Sequence, residues 1–139
     1  MNSEESKSVY WARGHTTSRL RYHVVFTPKY RRRVLEGRLA ERLADLLRQA
    51  CDLHGWALIE LSIQPDHVHM LLQLPPKDSV SHAMNILKGG SARIIRQEFP
   101  TLEEHLWGAS LWSDGFFVET VGHVDEVVVT RYIRNQEAR

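Results

Sequence analysis

Two histidines stand two residues apart in Pro65-Asp66-His67-Val68-His69-Met70, within a run whose composition marks a strand. Alternation along a strand sends both imidazoles to one face, near enough to share a metal ion, while Val68, Met70 and Leu72 point the other way. On spacing alone the pair is equally compatible with two half-buried strand histidines. Tyr132 and Gln136 are separated by four residues, so on a helix they share a face, and any site within reach of Gln136 is within reach of the Tyr132 oxygen. A free phenol ionises at about pH 10, so its attack on phosphorus needs a positive charge or a base beside it. A divalent ion meets that need by polarising the phosphate and offsetting the developing charge. Taken singly, Tyr132 also fits the common role of a packing tyrosine. Asp66 fits two roles, as a partner that orients a neighbouring histidine and as a turn former.

The elements that must position these groups can be read from periodicity. Residues 1–18 show none and are expected to form a flexible arm, leaving 19–139 as one domain. Leu20 to Thr27 alternates and stops at Pro28, which predicts a strand followed by the basic loop. Leu39, Leu43, Leu46, Leu47 and Ala50 recur at helical spacing from Arg38 to His54, with Gly55 placed to end the helix. Trp56 to Ile63 and His67 to Leu74 predict a hairpin closed by Gln64-Pro65-Asp66. A second helix capped by Asp78 or Ser79 should run to about Gln97 with Val80, Ala83, Ile86, Leu87, Ile94 and Ile95 inward. Gly89-Gly90 interrupts it, which suggests close packing or ligand approach there. Trp107 and Trp112 lie in an apolar loop, where a core role is expected, and neither reading of Trp11 in the arm is favoured. Phe116 to Val121 predicts a fourth strand, and Asp125 to Gln136 a last helix. The order β-α-β-β-α-β-α is that of an α+β, ferredoxin-like fold. In it two helices cover one face of a four-stranded antiparallel sheet, and the C-terminal helix carries the tyrosine.

A chain of 139 residues, 42% hydrophobic, can bury a real core. No stretch is apolar for the length a bilayer requires, and Met1 to Ser8 lack a signal core, so a cytoplasmic location is expected. Cys51, the single cysteine, cannot form an intramolecular disulfide and fits a buried helical position. The formal net charge is only +1, but Arg13, Arg19, Arg21, Lys29, Arg31, Arg32, Arg33 and Arg38 crowd into one stretch, so one face should be basic.

Several segments resemble the single-tyrosine HUH transposases of the TnpA type, which are encoded by insertion sequences that move as single-stranded DNA. They are Tyr22-His-Val-Val-Phe with Lys29-Tyr-Arg31, Pro65-Asp-His-Val-His-Met-Leu71, Leu87-Lys-Gly-Gly-Ser-Ala-Arg93, Leu106-Trp-Gly108, Leu111-Trp-Ser113, Phe116-Phe-Val-Glu-Thr-Val-Gly122 and Tyr132-Ile-Arg-Asn-Gln136. The resemblance runs from about Arg19 to Gln136. It implies that His67 and His69 form the HUH motif, that Gln136 completes a site for Mg²⁺ or Mn²⁺, and that Tyr132 attacks a DNA phosphate to give a 5′-phosphotyrosine and a free 3′-hydroxyl. It further implies recognition of subterminal DNA hairpins by Lys29, Arg31, Arg32, Arg33, Lys88, Ser91 and Arg93. A homodimer is also implied, whose tyrosine helix can complete the partner's site, acting on the nucleoid of a bacterium or archaeon. Phe116 stands where relatives often carry a tyrosine, and the charge balance is less basic than a DNA transferase would suggest.

Two other readings compete. A single-tyrosine HUH nuclease of replication or of repeat-associated type would share the chemistry and differ in the DNA it serves. A non-catalytic RNA-binding module would use the same sheet, but it expects aromatic residues on the central strands, where histidines stand instead.

Overall fold

The computed structural model describes residues 20–121 and 131–136. The expected arm over 1–18, the 19–139 domain boundary and the start of the last helix at Asp125 fall outside those residues. Strand β1 is Arg21–Phe26, helix α1 Gly37–His54, β2 Ala57–Gln64, β3 His67–Gln73, α2 Val80–Glu98, α3 Glu103–Leu106 and β4 Phe117–Val121, with a final helix α4 over 131–136. The sheet runs β2-β3-β1-β4 and every pairing is antiparallel, which is the ferredoxin-like order. No helix among the described residues is long and apolar enough to cross a membrane.

Strand alternation divides the sheet into two faces of opposite character. Val24 and Phe26 of β1, Leu61 of β2, and Val68, Met70 and Leu72 of β3 point to one side. There they meet Leu39, Leu43, Leu46, Leu47 and Cys51 from α1 and Ala83, Met84, Leu87 and Ile95 from α2 in one buried core. Burial pushes the Cys51 thiol up to about 12, with Asp52 adding to the rise, so Cys51 is an inert packing residue as expected. The opposite face carries His23 and Val25 of β1, His67, His69 and Leu71 of β3, Ser62 and Gln64 of β2, and Phe117 and Glu119 of β4, paired across the strands. Helix α4 lies over that second face, where Ile133 packs with Leu71 and Val121 in a small separate cluster.

The helix boundaries follow their local signals. The Ser79 hydroxyl accepts from the His82 amide at 3.0 Å to cap α2, and Gly55 ends α1 with φ 76°. Three expectations are corrected. Residues 100–106 form a 3₁₀ turn and α3 where a loop was expected, because Pro100 starts a turn and Leu102 and Leu106 reach the core. Trp107 is 83% exposed, because the chain reverses there with φ 53° and turns the ring outward, whereas Trp56 and Trp112 are buried. At Gly89 and Gly90 an added Cβ would meet no atom within 4 Å, so close packing does not explain them. Gly89→Ala is therefore expected to stabilise the fold by about 0.5–1 kcal/mol through helix propensity, measured by chemical denaturation. A loss of stability would show that the position is constrained after all.

Candidate active site

Hairpin β2–β3 and helix α4 bring the chemically capable residues together. The turn at 65–66 starts β3 so that His67 and His69 both face α4, with ring centroids 4.6 Å apart and planes nearly perpendicular. Asp66 Oδ1 lies 2.7 Å from His67 Nδ1, which leaves His67 Nε2 to present a lone pair. Asp66 Oδ2 accepts from Arg31 at 3.0 Å, so the carboxylate both forms the turn and orients the histidine. Burial works to raise the Asp66 carboxyl, but the hydrogen bond to His67, the pull of that ring when it is protonated, and Arg31 outweigh it and hold it below its usual range.

His69 is 6% exposed. Its Nδ1 lies 3.3 Å from His23 Nε2, and its ring is 5.5 Å from that of Tyr132 in an edge-on arrangement. Burial first, then the neighbouring His67 and His23, pushes its pKa from 6.5 down to about 4, so at neutral pH it is an uncharged imidazole, the form that can ligate. Between these two values the unfolded chain takes up a proton that the folded chain refuses, so the stabilisation is complete above about 6.5 and is lost as pH falls through about 4. Denaturant titrations of the metal-free protein should show this decline, and His69→Gln should make it shallower. An equally steep decline in the variant would assign the effect elsewhere.

On α4, Gln136 Nε2 donates to the Tyr132 oxygen at 2.9 Å, and the Gln136 carbonyl accepts from Gln64 Nε2 at 3.0 Å. Gln64 is the cross-strand partner of His67, so this contact sets the end of α4 against the histidine pair. Arg134 adds an ion pair to Glu60. Gln136 Oε1 is buried with no hydrogen-bond partner among the described residues, a costly state for an amide oxygen unless something else engages it. The described residues contain no group of three or more His, Cys, Asp or Glu in metal-binding proximity, so among them a third ligand beside the two imidazoles would be of another type. The orphaned amide oxygen meets that requirement, and a two-nitrogen, one-oxygen set suits Mg²⁺, Mn²⁺ and Zn²⁺ to differing degrees.

The residues expected to meet DNA divide into two groups. Arg31, Arg32 and Arg33 are exposed on the loop after β1, where Tyr30 and Arg31 both take positive φ, 61° and 52°. Arg32 sits 5.8 Å over the Tyr30 ring. The backbone of Lys29 is tied to Leu111, so the loop rests on the segment carrying Trp112. Arg93 is exposed on α2. Lys88 instead spends its ammonium on the carbonyls of Ser113 and Gly115, and burial lowers its pKa despite the opposing pull of Asp114. Ser91 is 4% exposed, donates to the Lys88 carbonyl and accepts from Trp112 Nε1, so it packs the helix against the loop and presents nothing to a ligand. Sequence reasoning passed over His23, Glu119 and Gln64. The alternation in β1 that sent Val24 and Phe26 inward already placed His23 on the histidine face. Its pairing with β3 and β4 was not readable.

Known proteins match this chain in sequence and in fold. The family model of IS200-like transposases matches residues 16–136. The ISDra2 transposase TnpA of Deinococcus radiodurans is 37% identical over 117 residues, 84% of each chain. The transposase for insertion sequence element IS200 of Salmonella typhimurium is 36% identical over 122 residues, 88% of this chain and 80% of that one. A crystal structure of a putative transposase from Deinococcus radiodurans superposes with a TM-score of 0.73 at 36% identity, covering 92% of this chain and 98% of the other. A REP-associated tyrosine transposase bound to a REP hairpin shares the fold, with a TM-score of 0.53 at 16% identity over 82% of this chain and 63% of its own. With the family model spanning nearly the whole chain and close relatives matched along most of their length, this protein belongs to the IS200-like transposases and is a DNA transposase.

Proposed function

We propose that this transposase cuts and rejoins single-stranded DNA at insertion-sequence ends with Tyr132 as nucleophile and His67, His69 and Gln136 as ligands of Mg²⁺ or Mn²⁺. One observation carries the reading. The Gln136 amide turns its nitrogen to the Tyr132 oxygen and leaves its buried oxygen unpaired, one helical turn from a tyrosine whose ring meets the edge of His69. A divalent ion bound there would polarise the scissile phosphate and offset the charge that builds on it.

The chain's own groups account for the rest. Asp66 holds His67 with Nε2 available, and the burial of His69 keeps it neutral. Ile133 seats α4 on the sheet and leaves Tyr132 half exposed, open to a strand of DNA. Gln136 Nε2 aims a donor at the oxygen where negative charge collects when the phenolic proton leaves. Attack by that oxygen on phosphorus forms the tyrosine–phosphate bond, breaks the bond to the 3′ oxygen and leaves a 3′-hydroxyl once that oxygen takes a proton. Because one phosphodiester replaces another, the 3′-hydroxyl of a second strand can reverse the step and join DNA without ATP. Arg31, Arg32 and Arg33 supply forked donors for phosphates and unpaired bases of a hairpin end. The reading includes action on the nucleoid in the cytoplasm. It also includes a homodimer whose tyrosine helix can complete the partner's site.

The test is incubation of the protein with single-stranded hairpin DNA and Mn²⁺, followed by mass spectrometry of the covalent adduct. A phosphodiester on Tyr132 is expected. Attachment at Tyr10, Tyr22 or Tyr30, or no adduct with the element's own ends, would overturn the assignment.

A further inference from the structure

Beyond the ligands themselves lies a third imidazole in an unusual position. His23 on β1 is 8% exposed and stands between His69 and Glu119 of β4. Its Nε2 is 3.3 Å from His69 Nδ1 and its Nδ1 is 3.5 Å from Glu119 Oε2. The His23 and His69 ring planes differ by only 7° and their centroids are 5.5 Å apart. With the facing nitrogens 3.3 Å apart, that separation puts the rings edge to edge in nearly one plane, the disposition of an N–H···N hydrogen bond.

For a neutral His23, proton counting fixes every direction in the chain. An ionised carboxylate only accepts, so the His23 nitrogen that meets Glu119 must carry the hydrogen. A neutral imidazole has one N–H, so His23 Nε2 is left as an acceptor. It can be satisfied only if His69 donates from Nδ1, and that leaves the lone pair of His69 on Nε2. The opposite orientation would put a hydrogen on His69 Nε2 and remove that nitrogen as a metal donor. His67 reaches the same state directly, through Asp66.

We infer that His23, backed by Glu119, is a positioning residue that sets His69 in the Nδ1–H tautomer and so presents its Nε2 to the metal. The inference rests on the ligand set proposed above. The β1–β3 pairing builds the relay into the sheet, since Val25 is the cross-strand partner of His69 and His23 lies two residues along on the same face. A carboxylate reaching a ligand through an intervening imidazole also gives this buried histidine a polar role beside its edge-on contact with Phe117.

Two measurements test it on the full chain. In the ¹⁵N-histidine-labelled metal-free protein, two-bond proton–nitrogen correlations read the tautomer of His69 without any substitution, and Nδ1–H is expected. Calorimetric titration with Mn²⁺ should then give a Kd about 10–100-fold weaker in His23→Leu. His23→Gln, whose amide oxygen accepts at the position of Nε2, should recover part of that loss, which a role in packing alone would not produce. An Nε2–H tautomer in the wild type, wild-type affinity in a folded His23→Leu, or His23→Gln no better than His23→Leu overturns the relay and leaves the ligand set standing. A wild type that binds no Mn²⁺ overturns both.

Discussion

Tyr132→Phe is expected to abolish the covalent protein–DNA adduct, lowering its rate of formation at least about a thousandfold, as loss of a nucleophile does in other covalent enzymes. The change removes one oxygen and its bond from Gln136, while Ile133 continues to anchor α4 and the ring can keep its edge contact with His69. Because Tyr132 is half exposed, folding stability should move by no more than about 0.5 kcal/mol. Hairpin binding in gel-shift assays and the Kd for Mn²⁺ should be close to those of the wild type. Adduct formed by the variant at an undiminished rate on a denaturing gel would exclude Tyr132 as nucleophile.

His67→Ala has the second largest expected effect. It removes one of two imidazoles and also takes from Asp66 one of its two partners, a ring that helps hold the carboxylate below its usual range. Mn²⁺ affinity should fall by more than the roughly 10–100-fold that loss of an outer partner costs, and cleavage should fall with it. Arg31 stays paired with Asp66, and Arg32 and Arg33 lie on the same exposed loop, so hairpin binding should persist. Unimpaired cleavage by His67→Ala would sink the metal assignment, whereas loss of hairpin binding together with cleavage would place His67 in the DNA interface.

The two variants separate chemistry from cation binding, and the relay through His23 links them to the sheet. Arg31 joins the basic loop to the same site, since its guanidinium grips the carboxylate that orients His67. The loop expected to hold DNA and the strand expected to hold metal thus share one ion pair.

Much of this was legible in the chain itself, because it depends on short-range periodicity. Period-two alternation placed His67 and His69 on one face and Val68, Met70 and Leu72 on the other, and the core bears this out. The four-residue spacing put Tyr132 and Gln136 on one side of a helix, where their side chains bond. Leu39, Leu43, Leu46 and Leu47 announced the buried stripe of α1 for the same reason. What only the tertiary structure decided depends on which strands become neighbours. Sequence spacing says nothing of a contact between His23 and His69, 46 positions apart, or between His23 and Glu119, 96 positions apart. Nor could composition reveal that Lys88 and Ser91 face the 111–115 segment, since a helical lysine and serine look the same in a sequence whether they meet water, DNA or a neighbouring loop. Local pattern thus named the groups able to do chemistry, while the β2-β3-β1-β4 order supplied the partners that orient them.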